Sequence, residues 1–436
     1  MKLLLVSPVA KNKFLGKNFA FALPFLSMPV IAAHTPSDVD ITFVDERVDK
    51  IDFNDSYDLV GITAMTPLAP RAYEIASYFR KRDIKVVIGG MHASARPEEV
   101  LKHADSVVIG EGEDIWPIII DDFKAGKLKS IYKKESYTDL SLMLPPRRDL
   151  LNMNRYAPVE FVETTRGCPF GCHFCSVTKF FGGKYRTRPI DHAIKEISKF
   201  KTTTRKFSIK NVVFFVDDNI IGDRNHAKEL FQRIKPYKLN WLGQASINIA
   251  KDDELLQLAK DSGCIGFMIG FESLSDDVLK KVAKKSNKAT EYLESIRKIQ
   301  SYSIGVMGSF IFGFDQDDKS VFEKYWHFMK KAKLEAVYLG ILTPYPGTRF
   351  FDELNSQGRI FDHDWSNYDT SHVVFRPKKM SVKELQDGYL WAWRKTYSLP
   401  FIFNRLKQTK AMRMFVWPMN IGFHFSIKKL AKELKQ

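Results

Sequence analysis

Three of the four cysteines in this 436-residue sequence, Cys168, Cys172 and Cys175, fall within eight consecutive positions, in the stretch Thr-Thr-Arg-Gly-Cys-Pro-Phe-Gly-Cys-His-Phe-Cys that ends at Cys175. Their spacing is C-x3-C-x2-C. Gly167, Pro169 and Gly171 stand beside and between them and let a short loop double back, so the three sulfurs are expected to converge on one point. Three thiolates without a nearby fourth ligand suit a cubane iron-sulfur cluster with one iron left open, because soft thiolates favour such clusters. A structural zinc ion normally closes its shell with four ligands, and His173 could supply the fourth only by turning back sharply between two of the others. A disulfide fits less well, since an odd group of cysteines in a chain without a secretion signal points to a reducing, cytoplasmic setting.

The elements that must position this loop are legible in the apolar runs. In the N-terminal third, Leu3 to Val6, Ile41 to Val44, Leu59 to Ile62, Val86 to Ile88 and Ser106 to Ile109 are short continuous runs of the kind found in buried parallel strands. Between them, Arg71 to Lys81 has helical spacing, and Pro97 to His103 starts another helix behind a proline. The result is a doubly wound parallel sheet, which binds ligands beyond the carboxyl ends of its strands. The loops there are Thr63-Ala-Met-Thr66, Gly89-Gly90-Met91-His92 and Gly110-Glu111-Gly-Glu. The glycine pair either lets backbone approach a bulky ligand or makes a plain tight turn.

Leu144-Pro145-Pro146 is stiff and extended, because paired prolines forbid helix, and marks a domain boundary. Six further strands are expected after it: Val159 to Glu163, Val212 to Val216, Trp241 to Ile247, Gly266 to Ile269, Val306 to Phe312 and Ala336 to Leu342. Alternating with helices, they suggest a partial (β/α)6 TIM barrel with its chemistry at the carboxyl-end loops. The cysteine loop follows the first of these strands. The expected domains are 1–144, a Rossmann-like unit; 145–365, the partial barrel; and 366–436, a small, mainly helical, basic extension with a short strand over 372–377 and a helix over 385–397.

The cysteine spacing, with the aromatic Phe174 just before the last cysteine, resembles the radical S-adenosylmethionine superfamily. The resemblance implies a 4Fe-4S cluster at Cys168, Cys172 and Cys175 whose open iron chelates S-adenosylmethionine and cleaves it to a 5′-deoxyadenosyl radical. It also implies a hold on that cofactor by Phe174, by Asp218, beside Asp217 and Asn219, and by Gln244 and Ser246, read as alternate residues of one strand. Glu272, in a segment resembling the superfamily's fifth-strand element, joins them. For each of these a helix-capping or surface role is the alternative. The N-terminal third resembles the cobalamin-binding (B12-binding) domain of many superfamily members, through Gly61-Ile-Thr-Ala-Met-Thr-Pro, Arg71-Ala-Tyr-Glu-Ile-Ala, Val86-Val-Ile-Gly-Gly-Met-His and Gly110-Glu-Gly-Glu. This implies cobalamin contacts from Thr63, Thr66, Gly89, Gly90, Met91, His92, Gly110 and Glu111. The Asp-x-His-x-x-Gly motif of methionine synthase-like domains is missing, so no cobalt-ligating histidine of that kind is expected. His92 reads more naturally as a hydrogen-bonding residue. The C-terminal extension resembles that of the lipid-modifying branch, the hopanoid methylases among them.

Composition narrows the partners. Apolar residues make up 44% and charged residues 27%, an ordinary globular mixture, with 34 phenylalanines that fill either a core or an aromatic-lined cavity. The net charge of +16 suits an anionic partner. Residues 401–436 carry eight Lys and Arg against one Glu, interleaved with Phe403, Leu406, Met412, Met414, Phe415, Trp417, Phe423 and Phe425. That mixture fits either a helix lying peripherally in a membrane interface or a basic outer helix packed on the barrel. A tRNA-directed methylthiotransferase would need a second cysteine-held cluster, and only Cys264, in an apolar segment, is left over, so a nucleic-acid partner is not expected. The expected activity is methylation of an unactivated carbon in a hydrophobic, lipid-like small molecule, with a ferredoxin or flavodoxin as electron donor. An oxidative or cyclising radical enzyme with the same cofactors, and a non-catalytic cobalamin- or metal-binding protein, are the alternatives.

Overall fold

The first apolar run forms β1, Lys2–Ser7, and its alternate residues serve opposite cores. Leu4 and Val6 pack with Ile75, Ala76 and Phe79 of the helix Ala69–Arg80, whereas Leu3 and Leu5 pack with Trp116, Ile119 and Ile120 of the helix Trp116–Lys124. A strand covered on both faces must be apolar at every position, so its sequence shows a run and not an alternation. The structure, a computed structural model, describes residues 1–10, 22–200, 212–407, 409 and 413–433.

The strands β2 (Asp40–Asp45), β3 (Leu59–Thr63), β4 (Lys85–Gly89), β5 (Ser106–Ile109) and β6 (Ile131–Lys133) join β1 in a parallel sheet of order β2-β1-β3-β4-β5-β6. The order reverses between β1 and β3, which opens a crevice at their carboxyl ends. β6 was not expected from the sequence, being a three-residue strand with only Tyr132 buried. The expected helix at 97–103 covers only Pro97–Val100.

The second sheet is also parallel. Its strands are β7 (Val159–Val162), β10 (Val212–Phe215), β11 (Asn240–Gln244), β12 (Cys264–Glu272), β13 (Gly305–Phe312) and β14 (Ala336–Ile341), in the order β14-β13-β12-β11-β10-β7. Six strands in sequence order make the open, partial barrel that the sequence implied. An antiparallel ribbon of β8 (Thr165–Arg166) and β9 (Arg186–Thr187) brackets the cysteine loop. Two details differ from expectation. The strand with Gln244 stops there, and Ser246 caps a 3-10 helix, Ile247–Lys251, so these two residues do not share a strand face. The segment ending at Glu272 is the fourth strand of this sheet, not a fifth.

Phenylalanine fills the core of this half. Phe271 stacks on Phe310 at 5.3 Å between ring centres, and Phe215, Phe231 and Phe267 surround the fully buried Trp241 at 4.8 to 5.7 Å. Cys264 lies in the same core, its thiol against the Gly266 carbonyl at 3.7 Å, and burial pushes its pKa up.

The C-terminal extension is helical. Val382–Thr396 begins with a capping box between Ser381 and Glu384, and is followed by the helices Leu399–Leu406 and Arg413–Glu433, the latter with Pro418 inside. The strand expected over 372–377 reduces to a single antiparallel bridge, Ile360 to Phe375. Met412, residues 434–436 and the side chain of Met414 lie outside the described residues. Replacing Trp241 by Ala should lower the stability of the barrel by about 3–5 kcal/mol, the usual cost of emptying a large aromatic site; urea denaturation followed by far-ultraviolet circular dichroism checks it.

Candidate active site

Two adjacent carboxylates at the end of β10 hold the start of the cysteine loop. Asp217 Oδ1 accepts from Thr164 N at 2.8 Å, from Thr164 Oγ1 at 3.1 Å and from Thr165 N, while Asp218 Oδ2 accepts from Gly167 N at 2.9 Å. Burial pushes both acids up, Asp217 to about 7 and Asp218 to about 6, against the opposing pull of those hydrogen bonds. Gly167 has φ +85°, and a Cβ there would lie 2.0 Å from the Lys184 carbonyl oxygen of the ribbon's far arm. Only glycine fits that position. Asn219 continues the series: its Oδ1 accepts from Ser246 N at 3.0 Å, and Ile220 N donates to the Gln244 carbonyl at 2.9 Å. The sites expected to hold S-adenosylmethionine are therefore tied to one another across the carboxyl ends of β10 and β11.

Past Gly167 the loop turns through Cys168, Cys172 and Cys175 into the helix Ser176–Phe180. The three thiols lie within electrostatic reach of one another and of one shared cation, Lys284. Burial raises all three, Cys172 to about 11, against the opposing charge of Lys284. Among the described residues no three Cys, His, Asp or Glu side chains come close enough together to enclose a single ion. The expected convergence of the three sulfurs on one point is not met in this structure; what the three thiols share is the charge of Lys284. His173 is not a fourth ligand. Its amide donates to the Val282 carbonyl at 3.1 Å and its ring meets Arg349 at 3.4 Å. Phe174 packs on Phe314 at 6.1 Å between ring centres, which fixes the turn before Cys175.

Glu272 ends β12 with φ +64° and accepts from Lys284 Nζ at 3.2 Å. Burial works against the Lys284 charge, but Glu272 and Cys172 hold its pKa up. Lys284 was not legible in the sequence, where it is one lysine among several between 280 and 288.

The cobalamin-side loops meet this region across a cavity of about 560 Å³. From the first sheet it is lined by Met65, Thr66, Met91, Ser94 and Gly110, and from the barrel by Ser176, Lys179, Phe180, Tyr345 and Pro346. Of the residues expected to touch cobalamin, Thr66, Met91, Gly110 and Glu111 line the cavity; Thr63, Gly89, Gly90 and His92 do not. A Cβ on Gly110 would meet nothing within 4 Å, so its backbone is open to a ligand. The glycine pair is instead spent on protein contacts. A Cβ on Gly89 would face Val108, and Gly90, at φ +99°, turns tightly against Ala64. His92 is fully buried: Nε2 meets the Tyr73 hydroxyl at 3.0 Å, Nδ1 meets Thr66 Oγ1 at 3.4 Å, and its ring lies edge-on to Trp365. With both nitrogens engaged it is a hydrogen-bonding residue, not a cobalt ligand. Its neighbour Glu99 accepts from Trp365 Nε1 at 2.6 Å and from Tyr73 at 3.0 Å; burial alone would raise Glu99, but these bonds and His92 hold it down to about 2. Met65, 46% exposed at the cavity, was missed as a candidate.

Glu111 is a second correction. Its carboxylate is consumed by arginines of the β8–β9 ribbon, Arg166 at 2.8 Å and Arg186 at 2.9 Å, and by the Thr138 amide at 2.9 Å, and is not offered to a cofactor. Long-range ion pairs of this kind leave no local mark in a sequence.

The description "Radical SAM superfamily" matches residues 162–329, and "B12 binding domain" matches residues 16–120. The chain is 33% identical over 441 residues to the bacteriochlorophyllide d C-12(1)-methyltransferase of Chlorobaculum tepidum, covering 99% of this chain and 95% of that protein. It belongs to the cobalamin-dependent radical S-adenosylmethionine methyltransferases. A further relative is the hopanoid C-2 methylase of Rhodopseudomonas palustris, 27% identical over 80% of this chain and 67% of that one. The fold is also that of the methyltransferase TsrM from Kitasatospora setae, solved with cobalamin and a 4Fe-4S cluster bound, at a TM-score of 0.67, 15% identity and full coverage of both chains. As a member of this family the protein is an enzyme whose cofactors are a 4Fe-4S cluster, S-adenosylmethionine and cobalamin. The three thiols and the open cavity between the two sheets fit those groups.

Asp217 gives a test of how the cysteine loop is held. A carboxyl raised from 3.8 to about 7 stabilises the fold below its unfolded value and loses that contribution as pH rises through about 7. Asp217→Asn keeps an acceptor and removes the titration. Relative to wild type, its melting temperature should therefore improve between pH 5 and pH 8, by thermal melts at the two values. A constant gap contradicts this account.

Proposed function

We propose that this methyltransferase acts on an unactivated carbon of a hydrophobic small molecule, with Cys168, Cys172 and Cys175 as the cluster ligands. The observation that carries the reading is a cavity onto which both halves open, with Met65, Met91 and Gly110 on one wall and the helix following Cys175 on the other. When bound, the cluster and cobalamin supply reductive cleavage of S-adenosylmethionine to a carbon-centred radical and a methyl group for transfer. The chain's own residues do the rest. Asp218, Gln244, Ser246 and Glu272 stand at adjoining strand ends as the hold on S-adenosylmethionine, and Phe174 fixes the loop. The Lys284 ammonium pairs with Glu272 beside the thiols. The apolar part of the lining, Ile109, Phe180, Tyr345 and Pro346, gives an apolar acceptor a surface to pack on.

The same reading divides the chain at 1–144, 145–365 and 366–436, and gives it a ferredoxin or flavodoxin as electron donor. The names of its relatives, a bacteriochlorophyllide methyltransferase and a hopanoid methylase, support an apolar, lipid-like or macrocyclic acceptor. So does the C-terminal pair of helices. Among the described residues no helix is long and apolar enough to cross a membrane, yet Leu399, Phe403 (63% exposed), Ile421 and Phe425 (62% exposed) stand out in a region rich in lysine, as a peripheral membrane contact would require.

The test is anaerobic incubation of the reconstituted enzyme with methyl-labelled S-adenosylmethionine, dithionite and a chloroform-methanol extract of cells. Label is expected in an apolar product, together with 5′-deoxyadenosine and S-adenosylhomocysteine. 5′-Deoxyadenosine with no labelled product would move the enzyme to oxidative or cyclising chemistry. Replacing any one of the three cysteines by Ala should abolish 5′-deoxyadenosine formation while leaving the circular dichroism spectrum in place.

A further inference from the structure

The buried ionic cluster between the two halves does more than join them. Arg166 immediately precedes Gly167 and Cys168, and its guanidinium is fully used. Nη1 donates to Glu111 at 2.8 Å, Nη2 pairs with Glu113 at 2.6 Å, and Nε donates to Glu163 at 2.9 Å. Burial opposes that charge, yet Glu163 and Glu113 hold Arg166 protonated. Arg186 is the cross-strand partner of Arg166 in the β8–β9 ribbon. It takes both oxygens of Glu111 at 2.9 Å and the Thr138 carbonyl at 2.7 Å, and its guanidinium lies 5.1 Å from the Tyr137 ring centre. Glu111 itself follows the cavity-lining Gly110 at the carboxyl end of β5, and its side chain is only 3% exposed.

One carboxylate of the cobalamin half thus grips both arms of the ribbon that brackets the cysteine loop. An exposed ion pair is soft and screened. A buried, bidentate one with every oxygen occupied has a single geometry. The ribbon transmits that geometry directly, since the Lys184 carbonyl packs against Gly167 and the Gly167 amide is pinned by Asp218.

We propose that Glu111 is a positioning residue for methyl transfer: through Arg166 and Arg186 it sets where the cluster loop stands relative to the cobalamin cavity. The proposal rests on the reading above, that cluster and cobalamin occupy these two places. It requires no contact between Glu111 and either cofactor.

The experiment is electron paramagnetic resonance on holoenzyme loaded with cluster and cobalamin and reduced with dithionite. Cluster, sulfide and cobalamin contents are measured on each sample. In wild type the reduced cluster should speed the relaxation of the cob(II)alamin signal, because the two paramagnets are held at a fixed short separation. In Glu111→Ala, and in Arg186→Gln, which breaks the grip from the other side and keeps Arg166 paired with Glu113 and Glu163, that enhancement should fall several-fold and become heterogeneous at unchanged cofactor content. Glu111→Asp should recover part of it. Unchanged relaxation in both variants overturns the proposal, as does loss of cluster or cobalamin from both, which would mark the residue as a plain folding contact. A wild-type protein that binds no cluster or no cobalamin would instead sink the underlying reading.

Discussion

A parallel sheet offers its loops for chemistry only at the carboxyl ends of its strands, so two such sheets can share one reaction only if those ends are held rim to rim. Here the hold is ionic. Arg166 and Arg186 of the short ribbon reach from the barrel to Glu111 and Glu113 of the first sheet, and all four side chains are largely removed from water. A buried arrangement of this kind contributes little net stability compared with apolar packing, but breaking one member strands the others. What it supplies is a fixed relation between two bodies. Trp365 adds a second pin, its indole donating to Glu99 beside His92.

On the barrel side the same logic operates at shorter range. The cysteine loop has little secondary structure of its own, and its backbone amides find acceptors in two aspartates at the end of β10. Both acids sit where burial disfavours their charge. The thiols are in the same position, and Lys284, shared among them and Glu272, is the nearest compensating charge. An iron-sulfur cluster takes its cysteines as thiolates, so its binding is coupled to the release of their protons.

The fold was largely legible in the sequence because each strand buried on both faces leaves an unbroken apolar run, and five such runs before Pro145 and six after it are all strands. The cysteines were legible because their chemistry depends on local spacing. What failed to show was long-range or backbone-dependent. β6 is too short and too polar to read as a run. Ser246 looked like a strand neighbour of Gln244, but the chain leaves the sheet between them. The glycine pair at 89 and 90 allowed either a ligand cradle or a plain tight turn, and the structure has the turn, against Ala64, while Gly110, with the same composition cue, is the open one. Glu111 and His92 stand in the right loops, yet their side chains turn to partners 55 and 19 residues away along the chain. No pattern around residue 111 announces Arg166.

The proposed reaction needs a cluster at the three cysteines and cobalamin at the opposite rim. The most direct measurement is the count of iron, acid-labile sulfide and cobalt in the anaerobically reconstituted protein, with the iron-sulfur and corrinoid absorption bands recorded on the same sample. Four irons and four sulfides per chain, as the cubane cofactor demands, together with one corrinoid, are expected. Zinc in place of iron and sulfide, or a chain that takes up the cluster but no corrinoid, would contradict it.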